Sequence, residues 1–216
     1  MNGAILAATG IPDHKSFVEE VESAFSESSP GSPTQSVSFT FLGGEARVHA
    51  PSSGYSHVAI AFPVPKGASS ALVHVLKHCI SLSSSGGISG FTSNGIIGAY
   101  GFATSSNTGI MLDALCSALI TSPDSVVIER AKVLAKAEAR FALDGDSRSI
   151  AKAMSDFLLD TGSFSSTVIT DAYDVITSTQ ISNAFKTITK IAPPAFAAVG
   201  DLTTVPYRGS IISKLA

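Results

Sequence analysis

The sequence predicts an α+β fold, and three observations predict it. Strand patterns come first in residues 37–48 and 55–62, before any long helix of the same stretch. From Ser69 the apolar period changes: Leu72, Val75, Leu76 and Cys79 fall at i, i+3, i+4 and i+7, one face of a helix. The elements then run β-β-α-β-α-α-α-α-α-β, in runs of each type rather than strict alternation. A length of 216 residues suits one domain, or one large domain with an appendage, and is enough chain to bury a core without staples.

Taken in order, residues 2–9 read as a short apolar strand. Asp13 caps a helix to about Phe25, with Phe17, Val18, Val21 and Phe25 as its apolar face. Residues 26–36, SESSPGSPTQS, are a linker by composition. A lone strand and helix before a linker buries its faces poorly. Residues 1–25 are therefore expected to be the terminal strand and helix of a preceding N-terminal half that the chain does not contain, and 37–216 the domain proper.

Arg47 and Val48 close a strand that begins near Val37. Pro51-Ser-Ser-Gly54 is turn chemistry, because Pro fixes φ and Gly tolerates positive φ. Tyr55 to Phe62 is an apolar run of strand length, ended by Pro63, Pro65 and Gly67, and the helix from Ser69 follows. Ser83–Gly90 reads as a loop, Gly95–Thr104 as a strand and Thr108–Ile120 as a helix. Ser122 as cap and Pro123 at the first helical position start a helix to about Leu143. Its apolar stripe is Val127, Ala131, Leu134 and Phe141, and Asp144-Gly145-Asp146 ends it. Helices are expected at about 147–159, 166–176 and 179–189, then a last strand Ala195–Gly200 and a short C-terminal piece.

Charged residues make up 14% of the chain, against roughly 25% in an ordinary soluble domain, and none occurs from Cys79 to Leu112. That run is too rich in Gly, Ser, Thr and Asn to cross a bilayer. Two readings of the low charge stay open: a surface that meets other proteins, or one that is simply rich in Ser and Thr. The net charge of −3 gives no basic footprint for nucleic acid. Cys79 and Cys116 both lie in apolar helical patterns and read as buried hydrophobes rather than a disulfide framework. The first residues match neither a secretory signal nor a transit peptide, being followed by Glu19, Glu20 and Glu22.

No residue is assigned a catalytic, cofactor-binding or metal-binding role. His74-Val-Leu-Lys77-His78 has the two-histidine spacing of the inverted zinc-peptidase motif H-x-x-E-H, but Lys77 stands where that chemistry needs a Glu to activate zinc-bound water. No Glu occurs beyond Glu138 to serve as a distant ligand. Gly86–Gly90 does not match a phosphate-binding G-x-x-x-x-G-K-[ST] loop and reads as a flexible connection. Asp144 and Asp146 lack a surrounding EF-hand loop and read as helix-end polarity. No G-x-S-x-G elbow occurs.

The segment FLGGEARVHAPSSGYSHVAIAFPVPKGASSALVHVLKHCI resembles the opening of the C-terminal half of the core protein 2 family of mitochondrial ubiquinol–cytochrome c reductase, respiratory complex III. That family is related to the mitochondrial processing peptidase subunits and the insulinase/pitrilysin superfamily. The marks are Gly43-Gly44-Glu45 with Arg47, the strand SHVAIAF and the helix ALVHVLKH. SNGIIGAYGFATSSNTGIMLDAL is similar to the next strand and helix, VIERAKVLAKAEARFAL to the Lys-bearing helix, and FAAVGDLTTVPYRGSI to the closing strand.

The resemblance implies an α+β peptidase-like half-domain with a mixed or antiparallel sheet backed by helices. It also implies a non-catalytic, structural role, peripheral to the mitochondrial inner membrane on its matrix side. The expected partners are other complex III subunits, including a second peptidase-like core chain and a separately supplied N-terminal half. Alternatives are the substrate-binding subunit of a processing peptidase, or a peptidase-like scaffold in another mitochondrial complex such as ATP synthase. Two departures stand out: the N-terminal half is missing, and the connection over residues 81–98 is short, without the additional helix and strand of relatives and without Arg or Tyr.

Overall fold

The computed structural model describes residues 5–27, 40–84, 87–93, 95–161 and 166–215. They divide into two compact units, one drawn from residues 1–39 with 137–169, the other from 40–136 with 170–216. The second unit is built on a five-stranded mixed sheet. Its strands are β1 (Gly44–His49), β2 (Tyr55–Pro63), β3 (Ile88–Ser93), β4 (Ile96–Thr104) and β5 (Ala195–Gly200), in the spatial order β1-β5-β2-β4-β3. β1 runs parallel to β5, and every other pair is antiparallel. Among the described residues the helices are α1 (His14–Phe25), α2 (Ser70–Leu82), α3 (Thr108–Ile120), α4 (Ser125–Leu143), α5 (Ser147–Thr161), α6 (Ser166–Asp174), α7 (Ser178–Ile191) and α8 (Arg208–Leu215). The fold is α+β, as the runs of strand and helix pattern predict.

The core lies on one side of the sheet. Val58, Ile60 and Phe62 of β2, Ile97 and Ala99 of β4, and Phe196 and Ala198 of β5 alternate onto that side and are buried. α2, α3 and α7 supply the facing layer with Val75, Leu76, Cys79, Ile80, Leu112, Leu115, Leu119, Ile181 and Phe185, all buried. Ser69 caps α2, its hydroxyl accepting the Leu72 N–H at 3.2 Å. A capping box starts α7: the Thr177 hydroxyl accepts the Gln180 N–H, and the Gln180 side chain accepts the Thr177 N–H.

In the first unit, Asp13 caps α1 by accepting the Lys15 N–H at 3.0 Å, as expected. The Thr9 hydroxyl donates to the Ser147 carbonyl, and Asp146 caps α5 through the Ser149 N–H. None of α1 is buried: Phe17 and Val21 of its apolar stripe are half-buried, and Val18 and Phe25 are exposed.

Several expectations need correction. Residues 5–9 form no strand, and 2–4 lie outside the described residues; among the described residues this unit holds no strand with which they could pair. The first strand begins at Gly44, not near Val37, because Gly43 turns the chain with a φ of 70° just before it; residues 37–39 lie outside the described residues, as do 28–36 of the expected linker. Leu72 is only half-buried, and the α2 core face is wider, taking in Ala71, Val73 and Ile80. α4 starts at Ser125 under an Asp124 cap, whose carboxylate accepts the Val127 N–H at 2.8 Å, rather than under Ser122. Its buried stripe is Ile128, Ala131 and Ala135, while Val133, Leu134 and Phe141 are exposed. The C-terminal piece is a helix, α8, seated by buried Ile211 and Leu215.

The largest revision concerns residues 83–90. Ser and Gly composition reads as a loop, yet β3 begins at Ile88. Ile88 is buried, and Gly90 lies so close to α2 that a Cβ there would come within 2.1 Å of the Lys77 carbonyl oxygen. The Gly90 N–H donates to the Ser81 hydroxyl at 2.8 Å, and Ser81 donates to the Lys77 carbonyl at 3.1 Å. The glycine marks a close approach of strand and helix, not flexibility. The short connection therefore still carries a strand.

Candidate functional surface

α2 carries the two-histidine spacing. Its caps and apolar face hold the helix on the sheet, leaving His74, Lys77 and His78 half-buried. His74 Nδ1 lies 3.1 Å from the Tyr173 hydroxyl, and the two rings stack at a 6.5 Å separation. The first histidine thus takes part in packing α2 against the end of α6. Among the described residues, no three His, Cys, Asp or Glu side chains converge as a metal site would require. Gly87 has a φ of 80° and leads into β3, Gly90 serves its contact with α2, and Gly86 lies outside the described residues. Asp146 caps α5; the Ser149 bonds hold its carboxyl below the usual range.

Both thiols are buried in the core, and neither forms a disulfide. Burial pushes Cys79 up to about 12 and also raises Cys116, so both stay protonated and unreactive at neutral pH. On α4, Lys136 pairs with Asp174 and Lys132 with Glu129 at 3.7 Å. The hydrogen bond from Lys136 is the main cause of the lowered Asp174 carboxyl.

The GGEAR and VGDLTT segments are joined by polar ties. The Arg47 guanidinium donates to the carbonyls of Val205 and Pro206 at 2.9 and 3.0 Å, pairs with Glu45 at 3.1 Å and lies over the Tyr207 ring at 4.7 Å. Arg208 donates through Nε to the Pro194 carbonyl. Gly43 sits beneath this knot: a Cβ would come within 2.5 Å of the Pro193 carbonyl oxygen. At the other end of β5, Asp201 accepts from the Ser105 hydroxyl and from the hydroxyl and N–H of Thr203, which holds its carboxyl near 2. The buried hydroxyls of Ser56 and Thr108 are satisfied there too, Thr108 donating to Ser56 and Ser56 to the Asp201 carbonyl. These residues fasten the closing segment to the sheet.

The other side of the sheet is the feature that sequence reading missed. Glu45 and Arg47 are the two Asp, Glu, Lys or Arg residues in the five strands, and their register with Phe196 and Ala198 puts both on the helix side. The opposite face has none. One row crosses four strands as Val48, Val199, His57 and Phe102, each opposite the next. Val48, Val199 and Phe102 are 58%, 45% and 47% exposed. The next row is Ala46, Ala197, Ala59, Tyr100 and Ser89. His57 Nδ1 lies 2.7 Å from the Tyr100 hydroxyl, and its ring stacks on Phe102 at 5.7 Å. Tyr55 adds a tilted contact to Phe102 at 6.4 Å. Each strand's parity was visible in the sequence, but the register that joins the exposed residues into rows was not. The arrangement leaves this face without charged residues and largely apolar.

No protein-family model matches the chain, and no curated protein matches it. Among solved structures it is similar to a chain of an assembly described as complex III2 from Candida albicans with Inz-5 bound. The TM-score is 0.75 at 15% identity. The match covers 94% of this chain and 56% of the other, so this chain spans little more than half the length of its structural neighbour. The likeness carries the fold: this chain has the architecture of part of a complex III2 chain.

Proposed function

We propose that the chain is a non-catalytic structural subunit of respiratory complex III, peripheral to the inner mitochondrial membrane on its matrix side. The observation that carries this reading is the shared fold with a chain of a complex III2 assembly over 94% of the present chain. Three further features support it. Lys77 occupies the place of the motif's catalytic Glu, and a cation there would repel a metal. The thiols are buried and protonated. Among the described residues no single helix is long and apolar enough to cross a membrane, as suits a peripheral subunit. On this reading residues 37–216 are one peptidase-like half-domain, residues 1–25 end a preceding half, and the partners are other complex III subunits, including a second peptidase-like core chain.

Blue-native electrophoresis of mitochondria, with mass spectrometry of the band that holds this chain, tests the proposal. Co-migration with cytochrome b and the Rieske subunit is expected. Migration with a chain bearing H-x-x-E-H, without cytochromes, would contradict it and favour a processing peptidase; migration with ATP synthase subunits would contradict it equally.

A further inference from the structure

We infer that the outer edge of β1 pairs with β1 of a second copy of this chain, antiparallel about a two-fold axis at Ala46, so that two sheets join edge to edge. The inference goes beyond the complex III reading and stands without it.

β1 presents an unclosed sheet edge. The Gly44 N–H donates to the Pro194 carbonyl at 3.5 Å, and the Ala50 N–H to the Gly200 carbonyl at 2.7 Å. With the parallel register of β1 on β5, these bonds give the even-numbered residues to β5 and turn the N–H and C=O of Glu45, Arg47 and His49 outward. Among the described residues nothing bonds to those main-chain groups. The opposite edge, β3, is closed in part, since its Gly90 N–H donates to the Ser81 hydroxyl at 2.8 Å. Natural sheets blunt an open edge with a proline, a bulge or a lysine. β1 has none of these: it reads GEARVH, its register is unbroken, and Arg47 is neutralised by its own Glu45.

The order of residues along the edge selects the occupant. An antiparallel pair centred on Ala46 sets Glu45 opposite Arg47 of the second copy, and Arg47 opposite Glu45 of the second copy. These are the outward-facing residues, so each pair exchanges main-chain hydrogen bonds in both directions. Each carboxylate then lies between two guanidiniums, its own at 3.1 Å and the one across the pair. Opposite charges facing each other across strands stabilise a sheet, and like charges destabilise it. Neighbouring registers lack this match. Centred on Arg47, the pair sets the two arginines against each other; centred on Val48, it sets Arg47 against His49 of the second copy. In the Ala46 register Val48 falls opposite Gly44 of the second copy, where no side chain obstructs it. On the open side Ala46 meets Ala46, and the row Ala46, Ala197, Ala59 and Tyr100 continues from one copy into the next.

A strand edge is a small contact, and a stable pair of free proteins covers about 800 Å² on each side. The pairing is therefore expected where both copies are held in the native assembly, and not in the isolated chain.

The test is disulfide mapping of Ala46→Cys, made in the full chain in its own cells and oxidised with copper phenanthroline in the native assembly. Residues opposite one another in a non-hydrogen-bonded pair have Cα atoms about 4.5 Å apart, within reach of a disulfide. Cys79 and Cys116 are buried and do not compete. Val48→Cys is the register control, because the two copies of that residue lie about 13 Å apart along the strands. Ile110→Cys, at a 73% exposed position on α3, is the control for chance encounter. The expected result is a reducible dimer whose linked peptides both contain residue 46, from Ala46→Cys and from neither control. A disulfide from residue 46 to another polypeptide, a yield no higher than the Ile110→Cys control, or an equal yield from Val48→Cys, each overturns the inference. Where Ala46→Cys fails to accumulate, hydrogen exchange and native mass spectrometry of the wild-type assembly decide. Two copies of the chain with at least tenfold slower exchange at the Glu45 and Arg47 amides than in the isolated chain are expected; a single copy, or equal exchange, overturns the pairing. Absence of cytochrome b from the assembly would instead overturn the complex III reading and leave the disulfide map standing.

Discussion

The two faces of the one sheet differ sharply in how far they are covered. On the helix side Val58, Ile60, Phe62, Ile97 and Ala198 are fully buried, and Phe196 nearly so. On the other side Val48, Val199, Tyr55 and Phe102 keep about half their surface in water. Composition does not separate the faces, since both are apolar; what separates them is whether a layer covers them. A monomeric sheet with one wet face normally alternates apolar and polar residues. This one does not, and the difference teaches that folding alone accounts for only one of its faces.

Substitutions on either face can break or sharpen this contrast. The largest effect is expected for Phe196→Ala, which empties a sealed core site and should cost about 3–5 kcal/mol in denaturant unfolding of the isolated chain. A loss below about 1 kcal/mol would show that the helix layer is loosely packed. Next comes Gly90→Ala. Its Cβ meets the Lys77 carbonyl, so a cost of about 1–3 kcal/mol is expected in the same assay, and a neutral result would mean that α2 sits farther from β3 than described.

Asp201, at the end of β5 where the closing segment begins, gives a pH signature. Its carboxyl, ordinarily at 3.8, is held near 2 chiefly by the Ser105 hydroxyl and then by Thr203. A depressed carboxyl lends stability above its unfolded value and loses it as pH falls through the folded one. Thermal melting of the wild type should therefore weaken from about pH 4 down to about pH 2. Asp201→Asn should lower the melting temperature at neutral pH and flatten that part of the profile; an unchanged acid slope would place the dependence elsewhere. Smallest of all is Val199→Ser on the open face. It should shift the unfolding free energy of the isolated chain by no more than about 0.5 kcal/mol, as a surface position does, and yet weaken recovery of the chain in its native assembly.

Much of the fold was legible in the sequence. The periods of β2, α2 and α3 and the turn at Pro51–Gly54 gave these elements nearly to the residue, because local pattern and tertiary burial agree there. β3 was not legible. Ser and Gly dominate it, and only the close approach to Lys77 explains why a glycine serves as strand. In α4 Ala131 faces the core as expected, but Ile128 and Ala135 are buried where Val127 and Leu134 were expected, and Phe141 is exposed. The His74 and His78 spacing was visible, but the Tyr173 contact of His74 spans 99 residues and no local pattern announces it. The open face was hidden for the same reason: its rows join residues from β1 to β5, and register between distant strands is set by tertiary pairing.

The most direct measurement is hydroxyl-radical footprinting of Tyr55 and Phe102 in the native assembly and in the isolated chain. If a partner subunit covers the open face, both aromatics should oxidise several-fold more slowly in the assembly. Equal oxidation rates in the two preparations would contradict the account, leaving the apolar face wet where the protein works.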